Sequence, residues 1–146
     1  MSQLKDVFGS ERLFVEVMNH GIGIEKKLVP GQLMMSKHMG LRLVATDDSH
    51  YARRSDAKHH EEMLCIQSGA RMSDKPTDQG GRRFTFAGDQ YYVKSNRHMS
   101  SLFPEDDFPG ALSNTLLVTE MASDLAVTFN LSLIHISEPT RQAEIS

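Results

Sequence analysis

Two short apolar runs, residues 13–18 (Leu-Phe-Val-Glu-Val-Met) and 41–46 (Leu-Arg-Leu-Val-Ala-Thr), bracket a stretch patterned as a helix. That order constrains the chain more than any other feature. A strand, a helix and a strand joined by short connections make a crossover, and a crossover lays the two strands parallel. The first run closes at Asn19-His20-Gly21, a turn signal. The spacing predicts the helix over residues 29–39. Pro30 is tolerable only in its first turn, Leu28, Met35 and Met39 fall on one side, and Gly40 ends it. Ahead of the crossover, residues 2–8 read as a helix with Gly9 as its C-cap. The fold class is α/β.

Beyond residue 46 the pattern predicts a second helix over residues 56–67, with Ser55 as N-cap, Asp56 in the first turn and Gly69 at the C-cap. Ala57, His60 and Leu64 share one of its faces. Residues 73–82 are a loop by composition and the candidate boundary between two modules. After it come two strand candidates, 83–87 and 90–94, about a Gly88-Asp89 turn. Ser95 caps a short helix reaching Phe103, and Pro109 opens a last helix that carries Leu112, Leu116 and Thr119 toward a core.

Composition removes several function classes. Sixteen Lys+Arg against nineteen Asp+Glu give a net charge of −3, so no polybasic footprint points to a DNA-coating or membrane-surface protein. A single cysteine, Cys65, excludes an internal disulfide and any Cys-rich zinc module. Lys5, Asp6, Glu11, Arg12 and Glu16 break any signal-peptide core. No apolar run approaches the roughly 18 residues of a membrane helix. No membrane partner and a cytoplasmic setting are expected. The 146 residues suit one ordinary domain or a piece of a larger one.

Residues 131–146 (Leu-Ser-Leu-Ile-His-Ile-Ser-Glu-Pro-Thr-Arg-Gln-Ala-Glu-Ile-Ser) do not continue the preceding pattern. Residues 131–141 resemble the translation of a transposon-based sequencing-library adapter. They are read as a non-native tail, excluded from fold reasoning. His135 is therefore no ligand candidate, the natural frame is expected to break near Asn130, and the chain is expected to be a truncated fragment.

The cluster that carries chemistry is Thr46-Asp47-Asp48-Ser49-His50-Tyr51, directly after the second strand. Residues i and i+2 in extended backbone point to the same side, so Asp48 and His50 converge. Carboxylate oxygen with imidazole nitrogen suits zinc, manganese or iron. In parallel α/β folds, sites gather at the carboxyl ends of strands. The bland reading of the same residues is a turn with an Asp cap and a solvated His. His20 reads as a turn residue, although it can face the same rim as His50. His60 reads as hydrogen-bonded on a packed face, His59 as exposed, and Cys65 as core filler. Gly80-Gly81-Arg82-Arg83 is no phosphate loop, having no strand before it and no helix after it, and its arginines read as solvated.

A longer resemblance joins these pieces. Phe8-Gly9, Phe14-Val15-Glu16-Val17, His20-Gly21 and the whole run from Gly40 to Tyr51 resemble the bacterial replicative DNA polymerase III alpha subunits. So do Asp56-Ala57, His60-Glu61, Leu64-Cys65-Ile66-Gln67-Ser68-Gly69, Phe84, Tyr92-Val93-Lys94-Ser95, Met99, Phe103 and Asn114-Thr115. The resemblance runs in one order over about residues 4–122. Asp47 departs from it, standing where Asn is usual, and Arg42 stands where Pro is common.

The resemblance implies three parts. Residues 1–72 are the C-terminal part of a polymerase-and-histidinol-phosphatase (PHP) domain, a partial distorted β/α barrel. Residues 73–130 are a small α+β connection toward the polymerase body, and residues 131–146 are the tail. Asp48 and His50 match the last ligand pair of the PHP metal site, which implies zinc or manganese there. Magnesium would serve the polymerase site outside this chain. The implied parent is a DNA-directed DNA polymerase, a nucleotidyltransferase of DNA replication, whose PHP domain hydrolyses phosphodiesters in proofreading or keeps a structural metal. DNA, the sliding clamp and the proofreading subunit are its implied partners. The family's opening His-x-His motif and polymerase aspartates are not in this sequence. The isolated chain is therefore expected to neither polymerise nor hydrolyse DNA, to bind metal poorly and to fold marginally. Two other readings remain: a piece of a stand-alone PHP phosphoesterase, and a non-catalytic scaffold module of the replisome.

Overall fold

The computed structural model describes residues 2–125. The expectations for the tail and His135 lie outside the described residues. Helix α1 (Ser2–Phe8) stops at Gly9, whose left-handed φ of 77° lets its N–H bond back to the Lys5 carbonyl at 2.8 Å. Then come β1 (Phe14–Val17), α2 (Gly23–Met39) and β2 (Arg42–Ala45). The strands pair parallel, with Phe14 opposite Arg42 and Val17 opposite Ala45. The predicted crossover and the α/β class are thus present as a two-stranded parallel sheet.

Helix α2 begins well before residue 29, so Pro30 sits in its interior rather than its first turn. Proline there removes one backbone donor and crowds the carbonyl of Lys26, a cost of about 3 kcal/mol. Packing overrides it: Leu33, Met35 and Met39 lie against the core, while Leu28, assigned to the same face, is exposed. Gly40 takes the left-handed conformation that ends the helix, as predicted.

Helix α3 (Ala57–Ser68) is preceded by a turn of 3-10 helix at Arg54–Asp56. Ser55 is not its N-cap. The Asp56 carboxylate instead reaches back to accept the Arg53 N–H at 3.0 Å, and the Ser55 hydroxyl bonds that carboxylate at 3.2 Å. The tighter first turn makes Asp56 the residue at the helix boundary.

Residues 83–87 and 90–94 do not pair as a hairpin. Single parallel bridges join Tyr51 to Tyr92 and Pro76 to Arg83. The backbone at 91–93 is already committed to the loop after β2: the Tyr91 carbonyl accepts the N–H groups of His50 (2.7 Å) and Tyr51 (3.2 Å), and Val93 N–H donates to the Tyr51 carbonyl (3.1 Å).

Ser95 caps α4 (Asn96–Leu102) as predicted, its hydroxyl accepting the His98 N–H. The last helix, α5 (Ser113–Met121), starts later than Pro109, and Leu116 is 67% exposed instead of facing inward. The residue before its N-cap and its own first turn do the packing: Ala111 is fully buried, its carbonyl accepts the Ala45 N–H at 2.8 Å, and the Asn114 amide donates to the Leu43 carbonyl at 2.8 Å.

The core is one small cluster of Val15, Val17, Leu41, Leu43, Ala45, Phe103 and Ala111. It draws on residues from both sides of the 73–82 loop. Large apolar side chains stay exposed on every long helix, among them Ile24 and Met34 on α2, and Met63 and Ile66 on α3. Among the described residues, no helix is long and apolar enough to cross a membrane.

Candidate functional site

The loop leaving β2 carries Asp48 and His50, and the alternation predicted for them holds. Asp48 Oδ2 and His50 Nε2 are 3.1 Å apart, with side chains 54% and 32% exposed. As it stands the contact is a histidine–carboxylate pair, and metal–oxygen and metal–nitrogen bonds of about 2.0–2.2 Å would put two donors on one ion a similar distance apart, about 3.0–3.5 Å. Among the described residues, no third His, Cys, Asp or Glu joins them into a metal-holding group.

The His50 ring is held among Phe86 at 4.5 Å, His60 at 5.3 Å and Tyr91 at 5.9 Å between centroids. His60 therefore packs through its ring, with Tyr51 and Phe86 as further neighbours, rather than through the hydrogen bond expected of it. Burial, then the charge of His50, holds His60 below the usual imidazole range. His59 is exposed and Cys65 buried, as read from the sequence.

Behind the pair lies a buried polar layer. His20 is 3% exposed and not a solvated turn residue. Its Nδ1 stands 2.6 Å from Glu25 Oε1, and Glu25 Oε2 accepts the His20 backbone N–H at 2.7 Å. On the other side of the ring, Nε2 accepts the Asp48 N–H at 3.2 Å. Tyr91 stacks on the imidazole at 4.5 Å and 11°. Burial raises the Tyr91 phenol, and the carboxylates of Glu25 and Asp48 add to the effect.

Asp47 faces the same layer. The Lys94 ammonium, with no exposed side-chain surface, donates to Asp47 Oδ1 at 2.6 Å and to the Gln90 carbonyl, and lies 5.0 Å from the Tyr92 ring centre. Burial pushes the Asp47 carboxyl up, but hydrogen bonds from Lys94 and Ser49 and the charge of Lys94 outweigh it. The net displacement is downward.

Sequence reasoning missed Glu25, Tyr91 and Lys94 and misassigned His20. The signal for His20 was its place just past β1, level with Asp48 past β2. Nothing local marked Lys94, whose partner lies 47 residues away in the chain. Arg82 is solvated as read from the sequence, its side chain 74% exposed, whereas the Arg83 side chain, 14% exposed, is not. Arg82 donates to the Gly69 carbonyl at 2.9 Å, and Arg83 pairs with Glu61 and donates to the Asp74 carbonyl at 2.9 Å.

No protein-family model matches the chain. Relatives do. The chain is 43% identical over 119 residues to the DNA polymerase III subunit alpha of Saccharopolyspora erythraea, covering 82% of this chain and 9% of that protein. It is 36% identical over 122 residues to that of Mycobacterium leprae, covering 84% of this chain and 10% of the relative. The subunit of Thermus aquaticus is 34% identical over 116 residues, 79% of this chain and 9% of its own length. The chain thus spans about a tenth of the relatives it matches.

Proposed function

We propose a role that proceeds from one premise: the chain belongs, as a segment, to the bacterial DNA polymerase III alpha subunits. In the complete subunit, residues 1–72 form the C-terminal part of a PHP-like β/α barrel and residues 73–130 the connection toward the polymerase body. The whole protein replicates DNA by nucleotidyl transfer, using magnesium at a site outside this chain. Its partners are DNA, the sliding clamp and the proofreading subunit.

Within this segment, Asp48 and His50 are two ligands of a divalent metal, zinc or manganese, at the strand ends of the barrel. The observation that carries the reading is the 3.1 Å separation of a carboxylate oxygen and an imidazole nitrogen just past a parallel strand. A divalent metal bound there would lower the pKa of a water and neutralise charge on a phosphate oxygen. The chain's own part is to hold the donors: the Tyr91 carbonyl fixes the His50 backbone, and the rings of Phe86 and Tyr91 fix its imidazole.

The test is Asp48→Ala in the complete alpha subunit, read as metal content and as hydrolysis of a mismatched 3′ end. Loss of bound metal and of hydrolysis, with polymerisation retained, is the expected result. Unchanged metal content and hydrolysis would transfer the segment to the scaffold reading. The stand-alone phosphoesterase reading expects a chain that ends soon after the helix predicted over 56–67. Phe103 and Ala111, well beyond where that enzyme should end, complete the same core as the β1 and β2 side chains.

A further inference from the structure

We infer that His20 is a positioning residue for the Asp48/His50 pair: it holds Asp48 by the backbone, so that the carboxylate stays beside the His50 imidazole. The inference rests on the metal reading above. Because Val17 of β1 lies opposite Ala45 of β2, the chain reaches His20 and Asp48 equally far past the ends of paired strands. Both arrive at one rim.

Three contacts then fix the imidazole. Glu25, in the first turn of α2, grips His20 at two points, the backbone N–H at 2.7 Å and ring Nδ1 at 2.6 Å. A carboxylate at that distance draws the ring proton to Nδ1, which leaves Nε2 as an acceptor. Nε2 spends its lone pair on the Asp48 N–H at 3.2 Å, while the nearby Asp47 Oδ1, 3.4 Å away, is already held by the Lys94 ammonium at 2.6 Å. Tyr91, stacked at 4.5 Å, sets the plane of the ring.

The same Tyr91 accepts the His50 N–H through its carbonyl at 2.7 Å. The backbone is therefore held at residue 48 by the ring and at residue 50 by the residue stacked on it. Side chains two apart are presented to one side of a backbone restrained at both positions. A histidine buried only to fill the core has no need to take a hydrogen bond from the loop that carries the donors.

Two substitutions separate these roles, because each keeps one end of the imidazole. The amide nitrogen of His20→Asn reaches the place of Nδ1 and preserves the bond to Glu25. The amide oxygen of His20→Gln reaches the place of Nε2 and preserves the bond from Asp48. Both lose the ring and its stacking. In the complete alpha subunit, with excess Mg²⁺ occupying the polymerase site, Mn²⁺ is titrated and followed by electron paramagnetic resonance, with Asp48→Ala alongside.

His20→Gln is expected to stay within about 3-fold of the parent affinity. His20→Asn should weaken Mn²⁺ about 10- to 100-fold, the usual range for losing a partner that orients a ligand, and alter the spectrum of the bound ion. Equal affinities and unchanged spectra in the two variants would overturn the inference while Asp48→Ala still abolishes binding. If Asp48→Ala binds Mn²⁺ like the parent, the metal reading itself fails and the positioning role falls with it. Should the Asn variant not fold, Glu25→Ala, at a partly exposed position, removes the grip on the ring; parent-like Mn²⁺ affinity in it would also overturn the inference.

Discussion

Replacing Lys94 by methionine exposes the electrostatics under the site to a direct measurement. The ammonium has no exposed side-chain surface and the Asp47 side chain only 15%, so water replaces little of what the pair gives each carboxylate and cation. Removing one partner of a buried pair costs about 3–5 kcal/mol, because the other charge is left uncompensated. Asp47 keeps its bond from the Ser49 hydroxyl at 2.7 Å and some contact with solvent, which puts the cost near the lower end, about 3 kcal/mol. The Gln90 carbonyl also loses its donor.

The assay is native-state hydrogen exchange at the amides of His50 and Tyr51, both bonded to the Tyr91 carbonyl three residues before Lys94. A loss of about 3 kcal/mol in local opening free energy speeds their exchange roughly 100-fold. Asp47→Asn added to Lys94→Met removes the stranded carboxylate and should recover at least half of that factor on a logarithmic scale. Exchange in Lys94→Met within about 3-fold of the parent would refute the reasoning, since a buried charge would then have lost its partner at no cost. A double variant as fast as the single one would refute it differently, by showing that Asp47 was never the stranded group.

Phe103→Ala, at a site 2% exposed in the shared core, should cost about 3–5 kcal/mol and loosen β1 and β2 together with α4; exchange changes confined to α4 would contradict the shared core. Gly81→Ala would drive a Cβ into the Lys75 carbonyl oxygen, so the 73–82 loop must shift, at about 1–3 kcal/mol, and become the first site of limited proteolysis. Unchanged nicking there would count against the close approach. Asp89 titrates below 3.8, chiefly through its hydrogen bond from Arg54, so the contribution of that pair is present above 3.8 and lost as pH falls through the lowered value. Arg54→Ala should move the Asp89 midpoint upward in a carboxyl ¹³C titration, and an unmoved midpoint would dismiss the pair.

The crossover was legible because everything that defines it is local. Apolar runs of strand length, a helical stripe at Met35 and Met39, and glycines at the stops act within a few residues of one another. The convergence of Asp48 and His50 was legible for the same reason, since alternation along extended backbone needs no partner. Pro30 misled because a rule about helix interiors competes with packing that a sequence does not display. The hairpin expected about Gly88 failed because residues 91–93 bond to a loop some forty positions earlier, beyond the reach of any turn signal. His20 looked like a turn residue because its burial comes from Tyr91, far along the chain. Local chemistry marked the donors, while the residues that hold them belong to a layer assembled only in three dimensions.

The sheet has a direction of growth. Along a parallel strand, alternate residues turn their N–H and carbonyl groups to opposite neighbours, and Leu43 and Ala45 turn theirs away from β1. Those outward groups already hold Asn114 and Ala111, through the Leu43 carbonyl and the Ala45 N–H. At the far edge of β1, the Glu16 carbonyl is met by the exposed amide of Gln32, a side chain free to swing aside. An incoming strand therefore meets only a side chain beside β1, and two groups already bonded beside β2. The segment from Ala111 to Asn114 works as an endstop. Any larger sheet built on this crossover gains its next strand more readily beside β1, because pairing beside β2 must first give up two bonds.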